Sequence, residues 1–374
     1  MPRQAKSLPI LMYHNISNYR DKLSIPPALF EEHCRTTAEK GWRAVGLTEA
    51  EDFFLHGAPL PAGSFLITLD DGYLDNYVNA WPILAKYGHK AVIFPVADLI
   101  TAATEDSGPH AAPRPSLAEV WAGRLAPEDL PAVDNPLRHT PQGYPVREDR
   151  FFTWPEARAM QESGVISFGG HGLGHNGVFS GPEYETFLRP AGRTAPLDHL
   201  VKEMIWGMPW FKRASEFTAR AFTPAPELLA AVRALVPQDE AAACEFFLDE
   251  ANQLRLKELA DSFAGNLGRL ETERERMERL SGIFAKNQNI FRRELGHPAR
   301  SFCWPWGRCN ESSIQAASES GFSVFFNVSP GPNRPGKALN INRFSAKRDT
   351  KKTLNRLRIY SRPLLGALYL KARL

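Results

Sequence analysis

The amino-acid sequence predicts an α/β protein built from repeated strand–helix units. Short apolar runs at residues 8–13, 64–69 and 90–95 indicate buried strands, and the apolar spacing of residues 27–40 and 74–87 indicates helices. Regular alternation of the two patterns favours a parallel sheet or barrel, in which functional groups gather at the carboxyl ends of the strands. Polar residues that directly follow a strand are therefore the first candidates for a functional site.

The composition is that of an ordinary globular protein with a sizeable core. The chain of 374 residues is 43% hydrophobic and 23% charged, and its net charge of +3 gives no reason to expect a nucleic-acid partner. Apolar runs are too short for a membrane span, and the start lacks the pattern of a signal peptide. Four widely spaced cysteines match neither a zinc motif nor a disulfide framework. We expect a cytoplasmic protein with reduced cysteines.

The alternation continues along the chain with two interruptions. Further strands are predicted at residues 42–45, 165–168, 300–304, 322–327 and 339–344, and further helices at residues 48–57, 154–162, 271–295 and 311–320. Residues 48–51 resemble a capping box. A proline-rich excursion spans about residues 101–150 and could act as a lid. A second excursion, about residues 180–268, is interpreted as a packed helical subdomain with helices near residues 198–212 and 226–260.

Two carboxylates end the buried strand that begins at residue 64. Asp70 and Asp71 precede Gly72, and successive side chains of an extended strand point to opposite sides, so we expect the two acids to have different roles. The same triplet is also typical of a turn, in which Asp caps a helix and Gly adopts a positive φ. Burying an unpaired charge costs on the order of several kcal/mol or more. A metal or another cation is therefore expected near the pair.

A histidine pair follows another predicted strand. His171 and His175 have the four-residue spacing of metal ligands, although the surrounding glycines argue against a regular helix. Such a pair alone would be structural about half the time. Together with a carboxylate that ends another strand of the same sheet, it supplies the two His and one Asp of a hydrolytic zinc site.

Three further segments carry candidates with simpler interpretations. His14 ends the first strand and could be only a hydrogen-bonding residue. Trp304 and Trp306 could be packing residues, as aromatic side chains usually are. Arg343 follows a strand and could pair with a surface acid.

These segments resemble the motifs of the polysaccharide deacetylase family (NodB homology, carbohydrate esterase family four). Thr68-Leu-Asp-Asp-Gly-Tyr73 resembles its Thr-Phe-Asp-Asp-Gly motif, and His171-Gly-Leu-Gly-His175 resembles its His-(Ser/Thr)-x-x-His motif, with Gly172 in place of the hydroxyl residue. Phe302-Cys-Trp-Pro-Trp-Gly307 and Leu11-Met-Tyr-His-Asn-Ile16 resemble the Phe-Ala-Tyr-Pro-Tyr-Gly and Met-Tyr-His motifs of the bacterial exopolysaccharide and lipopolysaccharide branch. The match covers about residues 8–100, 150–176 and 270–345.

The resemblance implies an irregular (β/α)7 barrel with a large helical insertion. Residues 1–349 would form the barrel, and the two excursions would be insertions into it. From residue 350 to residue 374 the chain has seven Lys or Arg residues and no acid, interspersed with leucines. This composition is typical of a basic amphipathic tail that makes peripheral contact with a membrane. The alternative is a terminal helix that packs on the barrel.

The resemblance also implies roles for individual residues. Asp71, His171 and His175 would bind a divalent metal, most often zinc. Asp70 would be the general base that takes a proton from the attacking water.

The remaining roles follow from the same resemblance. His14 would be the general acid, because the bacterial exopolysaccharide branch carries this residue in its N-terminal motif and no histidine follows His297 here. Arg343 would orient the base. The backbone N–H of Trp306 would stabilise the oxyanion, with Tyr73 and Trp304 at the substrate.

The resemblance therefore implies a metal-dependent hydrolase that removes acetyl groups from an N-acetylated amino sugar. The glycan or glycolipid substrate would be a bacterial cell-surface glycan or its lipid-linked precursor, met in the cytoplasm at the inner face of the membrane. One alternative keeps the site but changes the substrate to a small amide or cyclic imide. Another is a non-catalytic glycan-binding scaffold, which would not need a proton acceptor beside a metal.

Overall fold

The strand–helix alternation predicted from the sequence is present in the structure. A computed structural model describes residues 3–108, 111–148, 150–191 and 205–372. The strands are β1 (Ile10–Tyr13), β2 (Arg43–Ala44), β3 (Ser64–Asp71), β4 (Ala91–Pro95), β5 (Leu137–His139), β6 (Pro145–Arg147), β7 (Ile166–Phe168), β8 (Gly177–Phe187), β9 (Pro209–Ser215), β10 (Phe222–Pro224), β11 (Gly268–Leu270), β12 (Ser301–Cys303), β13 (Val324–Phe326) and β14 (Phe344–Ser345). The α/β class is confirmed.

Helices separate most of these strands. They are α1 (Pro27–Glu39), α2 (Leu47–His56), α3 (Trp81–Lys86), α4 (Ala97–Ser107), α5 (Leu117–Trp121), α6 (Trp154–Glu162), α7 (Pro226–Leu235), α8 (Glu240–Phe246), α9 (Glu250–Ser262), α10 (Glu273–Leu295), α11 (Glu311–Glu319), α12 (Thr350–Tyr360) and α13 (Pro363–Lys371). No helix within the described ranges is long and apolar enough to cross a membrane.

The parallel strands follow one another in an interrupted ring. Five of them pair in the order β14–β1–β3–β4–β7, and β2 pairs with the start of β3. A bridge between Gly170 and Phe302 leads from the end of β7 to β12, which pairs with β13. A second bridge, between Phe326 and Ile341, leads from β13 back towards β14. The carboxyl ends of these strands therefore lie at one common edge.

Alternate residues of β3 face two different parts of the core. Leu66 packs in a cluster with residues of β1, β4, β12 and β13, which is the arrangement expected inside the ring. Ile67 and Leu69 belong to the other cluster, which includes helix residues such as Phe30 and Ile83. Since side chains two apart share a face of a strand, Thr68 and Asp70 point to the same side as Leu66.

The connection after β3 differs from the continuous helix predicted for residues 74–87. Asn76–Ala80 form a turn of π-helix before α3 begins. Nδ2 of Asn76 donates to the carbonyl oxygen of His14 at 2.8 Å, and Nδ2 of Asn79 donates to that of Ile16 at 2.7 Å. Turns of π-helix occur frequently at functional sites. Here the turn fixes the segment that carries His14.

The second excursion contains strands as well as helices. The strands β8 and β9 pair antiparallel, and with helices α7 and α9 they bury their own apolar cluster around Phe211, Leu228 and Leu256. The helix predicted near residues 198–212 is wrong for residues 209–212, which begin β9; residues 198–204 lie outside the described ranges. Gly207, with a φ of 87°, prevents a helix there.

The capping box predicted at residues 48–51 is corrected by a hydrogen bond at the start of α2. Residues 48–51 do not form the capping box of α2, because Oε2 of Glu49 accepts a hydrogen bond from the backbone N–H of Gly46 at 3.0 Å. The first excursion contains the end of α4, α5 and the antiparallel pair β5 and β6.

Candidate active site

Polar residues that follow different strands meet at the carboxyl edge of the ring. Asp70 and Asp71 end β3, His14 directly follows β1, and His171 and His175 follow β7. Nε2 of His14 lies 3.9 Å from Oδ2 of Asp70. Nε2 of His171 and Nε2 of His175 lie 3.4 Å and 3.8 Å from Oδ1 of Asp71. The structure thus brings together the acids and histidines that the sequence singled out.

Backbone strain is concentrated at this site. Within the described ranges, Asp71, His175 and Trp306 are the non-glycine residues with positive φ, at 75°, 50° and 54°. Such backbone conformations cost on the order of 1–3 kcal/mol each and persist where the surrounding structure enforces them. At Asp71 the left-handed conformation ends the strand geometry, so its carboxylate does not point away from that of Asp70.

The donor atoms of Asp71, His171 and His175 fit a divalent metal ion. One ligand atom from each residue lies within 4.8 Å of the other two, and all three residues are buried. Oδ1 of Asp71 makes no hydrogen bond to any described residue. One carboxylate oxygen and two imidazole nitrogens are ligands that suit zinc.

The orientation of His171 favours its use as a metal ligand. Its Nδ1 donates a hydrogen bond to the carbonyl oxygen of Cys303 at 2.7 Å. A carbonyl oxygen only accepts hydrogen bonds, so Nδ1 carries a proton. When the imidazole is neutral, as a metal ligand must be, its lone pair is therefore on Nε2, which faces Asp71. Partners of this kind fix the tautomer of histidine ligands.

Asp70 is held by a different set of contacts. Both of its carboxylate oxygens accept hydrogen bonds from Arg343, at 2.6 Å and 2.8 Å, and the arginine side chain is fully buried. Nε of Arg343 also donates to the carbonyl oxygen of Asn327 at 2.8 Å, and Nη1 donates to Oγ1 of Thr68 at 3.1 Å. Bidentate pairs of this kind combine strength with fixed geometry. The arginine that was expected to orient Asp70 is in direct contact with it.

The charges around the two aspartates keep both ionised. Burial alone would raise the pKa of each carboxyl group. Arg343 and His171 outweigh this effect and hold the pKa of Asp70 below its ordinary value. His171 and His175 likewise hold the pKa of Asp71 well below its usual range. Both side chains are carboxylates at neutral pH.

The two histidines of the cluster differ in basicity. Burial lowers the pKa of His175 to about 4, with only partial compensation by Asp71. Burial also opposes the charged form of His171, but Cys303 and Asp71 beside it hold its pKa above the ordinary value. The imidazole of His175 is therefore neutral at physiological pH.

Cys303 belongs to the site, although no pattern in the sequence indicated a role for it. Its Sγ accepts a hydrogen bond from Nη2 of Arg343 at 2.8 Å and lies 3.8 Å from Oδ2 of Asp70. Asp70, His171 and Cys303 also offer three ligand atoms within 4.8 Å of one another. Burial raises the pKa of the Cys303 thiol. Asp70 and Cys303 already contact the guanidinium cation of Arg343, so this set fits a metal less well than the Asp71 set.

The three aromatic residues proposed to contact substrate differ in their exposure to solvent. Trp306 is 47% exposed and its ring lies 4.4 Å from that of His175, so it is accessible beside the site. Trp304 is only 1% exposed and packs among phenylalanines such as Phe302. Tyr73 is also 1% exposed and stacks on Phe151. The expected substrate contacts of Trp304 and Tyr73 are therefore corrected: both rings are packing residues.

The structure explains why glycine occupies position 172, where the family motif has a hydroxyl residue. Gly172 has a φ of 81°, and a Cβ at this position would lie 3.1 Å from the ring of Phe217. Its carbonyl oxygen accepts a hydrogen bond from Nδ2 of Asn287 at 2.9 Å. Asn287 lies on α10, more than a hundred residues away, and no local pattern in the sequence indicated it.

Comparisons with known proteins match the part of the chain that carries these residues. Residues 57–204 match the family model described as polysaccharide deacetylase, and this segment contains Asp70, Asp71, His171 and His175. The chain is 41% identical over 93 residues to the protein named "Putative polysaccharide deacetylase YxkH" of Bacillus subtilis (strain 168). That match covers 25% of this chain and 33% of the relative, so it spans about a third of the relative's length.

Solved structures show the same fold over nearly the whole chain. A de-N-acetylase from Aggregatibacter actinomycetemcomitans has a TM-score of 0.57 at 18% identity, covering 94% of this chain and 99% of the other. The BpsB deacetylase domain from Bordetella bronchiseptica has a TM-score of 0.54 at 21% identity, with 92% and 97% covered. IcaB from Ammonifex degensii has a TM-score of 0.53 at 16% identity, with 96% and 99% covered.

The resemblance inferred from the sequence motifs is thus confirmed, together with the expected fold class. The family model and the Bacillus relative each match part of the sequence, and the solved structures share its fold. Residues 57–204 of the chain are therefore similar to the polysaccharide deacetylase family, and solved deacetylases share the fold of nearly the whole chain.

Proposed function

We propose that this protein is a metal-dependent N-deacetylase of an N-acetylated amino sugar in a bacterial cell-surface glycan or its lipid-linked precursor. One observation carries the proposal. An ionised carboxylate, Asp70, lies directly beside a complete set of metal ligands without belonging to it. Amide hydrolysis needs both electrophilic activation and a proton acceptor, and this arrangement supplies a place for each.

Each protein side chain has a separate task in the proposed reaction. A divalent metal, most often zinc with these ligands, would act as a Lewis acid on the acetamide carbonyl and make the attacking water more acidic. Asp70 accepts the proton of that water, and Arg343 holds the carboxylate in position through both oxygens. The backbone N–H of Trp306 stabilises the oxyanion, and His14 donates a proton to the leaving amine.

The surroundings of the site favour a glycan over a small amide. A cleft of about 630 Å³ begins at Trp306 and continues along Arg308 and residues 213–215 of β9. The exposed indole of Trp306 offers an apolar face to a sugar ring, and the cleft gives room for neighbouring sugars. The second excursion therefore contributes to the proposed substrate-binding surface through β9.

The proposed location is the cytoplasm, at the inner face of the membrane. A lipid-linked precursor would be met there, and the basic segment from residue 350 onward would make the peripheral contact. In support, Arg358 of α12 and Arg362, which directly precedes α13, are exposed basic side chains.

His14→Ala is expected to lower kcat for deacetylation on the order of 10²–10⁴-fold with unchanged metal content. The reason is that its imidazole lies 3.9 Å from Asp70, at the open side of the site, and is 19% exposed. The rate of acetate release and the metal content of the purified variant test this. His297→Ala, which changes an exposed histidine far from the cluster, should leave both values unchanged. An undiminished rate in His14→Ala would place the acid elsewhere.

The function itself is tested by acetate release from N-acetylglucosamine oligosaccharides. We expect hydrolysis by the purified protein, loss of activity after treatment with a chelator, and recovery when zinc is added back. Hydrolysis of small amides or cyclic imides, with no acetate released from any N-acetylated glycan, would favour the alternative enzyme. If metal-replete protein hydrolysed neither N-acetylated glycans nor small amides, the non-catalytic glycan-binding scaffold would be the remaining hypothesis.

A further inference from the structure

A broad groove lies at the amino edge of the parallel strands, opposite the edge that carries the active site. Its volume is about 1410 Å³. It is lined by residues 3–7 before β1, by Trp42 before β2 and by residues 62–64 at the start of β3. The loop around residues 334–337 and the junction of α12 with α13 also line it.

The groove is strongly basic. The charged residues that line it are all cations: Arg3, Lys6, Arg334, Lys337, Arg358 and Arg362. All six are exposed, and none has a carboxylate within 4 Å among the residues that the structure describes. Elsewhere on the surface many cations are paired, as Arg114 is with Glu156 and Arg158 with Glu294. Six cations around one groove create a positive potential that attracts a ligand with several negative charges.

The rim of the groove also exposes apolar side chains. Leu364 lines the groove, and Leu364, Leu365 and Leu368 of α13 are 76%, 41% and 64% exposed. The opposite side of this helix is packed on the protein. Gly366 faces Pro332 there, and the ring of Tyr369 lies 6.1 Å from that of Tyr360. The leucines are therefore held outward on a fixed helix.

We infer, building on the membrane location proposed above, that the groove and the leucine face of α13 dock the protein on an anionic phospholipid bilayer. Phosphate groups of the lipids neutralise the cations, and the three leucines enter the boundary between headgroups and acyl chains. The cations and the leucines thus match the two layers of a membrane surface, the charged headgroups and the apolar acyl chains. A nucleic acid or a soluble polyanion would bind the cations but would leave the leucines exposed to water. A bilayer contacts both the cations and the leucines, so it explains both features of the surface.

Docking through the groove determines how the active site is oriented relative to the bilayer. Ser64 lies in the wall of the groove, and Asp71 ends the same strand at the active site. Eight residues of extended chain span roughly 23 Å. The catalytic cluster therefore faces away from the bilayer at about that distance. A membrane-attached substrate must reach it as an extended glycan chain, because the sugar next to the lipid phosphate would stay too close to the bilayer.

Sedimentation with lipid vesicles tests the docking surface with the full chain. We expect binding to vesicles of phosphatidylcholine with one third phosphatidylglycerol, weakening with added salt, and little binding to phosphatidylcholine alone. Combined substitution Arg334→Ser, Lys337→Ser, Arg358→Ser and Arg362→Ser should lower the apparent affinity by roughly tenfold or more. Leu364→Ser with Leu368→Ser should remove the binding that survives at raised salt.

A charge-matched variant serves as the control. Lys22→Ser, Arg255→Ser, Arg274→Ser and Arg292→Ser remove four exposed cations outside the groove and should leave vesicle binding near the wild-type value. Thermal unfolding shows that each variant is folded. The inference is overturned if the two four-site variants lose binding equally, or if anionic vesicles are not preferred over neutral ones. Binding to duplex DNA at a salt concentration that abolishes vesicle binding would also overturn it.

Discussion

Replacing Asp70 with asparagine is expected to lower the rate of acetate release by roughly a hundredfold or more while the protein keeps its metal. Asparagine has nearly the same shape, but its amide cannot accept the proton of the attacking water. The metal ligands remain, because Asp71, His171 and His175 form their set without Asp70. Rate and metal content measured on the same preparation separate loss of the base from loss of the metal.

The same substitution weakens the buried contact with Arg343. One charged acceptor is lost from a fully buried guanidinium, so the free energy of unfolding should fall on the order of 2 kcal/mol. Activity is therefore compared well below the unfolding temperature of both proteins. Asp129→Asn, at an exposed position in the first excursion, is the matched control and should keep full activity. If Asp70→Asn retained most of its rate, Asp70 would not be the base.

His171→Ala is expected to lose both metal and activity. Even removal of a residue that only supports a metal ligand lowers affinity about 10–100-fold, and loss of the ligand itself should cost more than that. The effect should be large here because Nε2 of His171 lies 3.4 Å from Oδ1 of Asp71, at the centre of the cluster. Metal content after dialysis and the rate of acetate release measure the outcome.

His56→Ala provides the comparison for this variant. It removes an exposed histidine at the end of α2, so metal content and rate should match the wild type. Metal content near the wild-type level in His171→Ala would show that the metal is bound by other residues. A normal rate in metal-depleted His171→Ala would contradict the metal-dependent reaction.

The sequence predicted the strand ends better than the geometry between them. β3 was recognisable because apolar residues run directly into Asp70 and Asp71, a pattern that burial on both faces requires. The left-handed backbone at Asp71 was not predictable, because the same residues also suit an ordinary turn. It is this conformation that brings the second carboxylate to the histidines.

Contacts between residues far apart in the sequence could be predicted only from the family resemblance, and some could not be predicted. The pairing of Arg343 with Asp70 joins residues 273 positions apart and was expected only because the motifs resembled a known family. Cys303 and Asn287 were missed, since a single cysteine or asparagine gives no periodic or spacing signal. The resemblance could have directed attention to Cys303, which stands where the family motif has alanine.

Local patterns failed where tertiary packing decides the structure. Aromatic and apolar residues near residues 205–211 suggested a helix, but Gly207 and Pro209 end any helix there and the chain enters β9. Trp304 and Trp306 are two residues apart in one motif, yet one is buried in the core and the other is exposed at the site. Residue type alone does not distinguish these positions.

Anomalous X-ray diffraction at the zinc absorption edge, from crystals of the zinc-loaded protein, tests the central assignment most directly. We predict one peak, about 2.0–2.2 Å from Nε2 of His171, Nε2 of His175 and a carboxylate oxygen of Asp71. The carboxylate of Asp70 should remain outside that distance and paired with Arg343. A peak bound instead by Asp70, His171 and Cys303 would contradict the account, because the proposed base would then be a metal ligand.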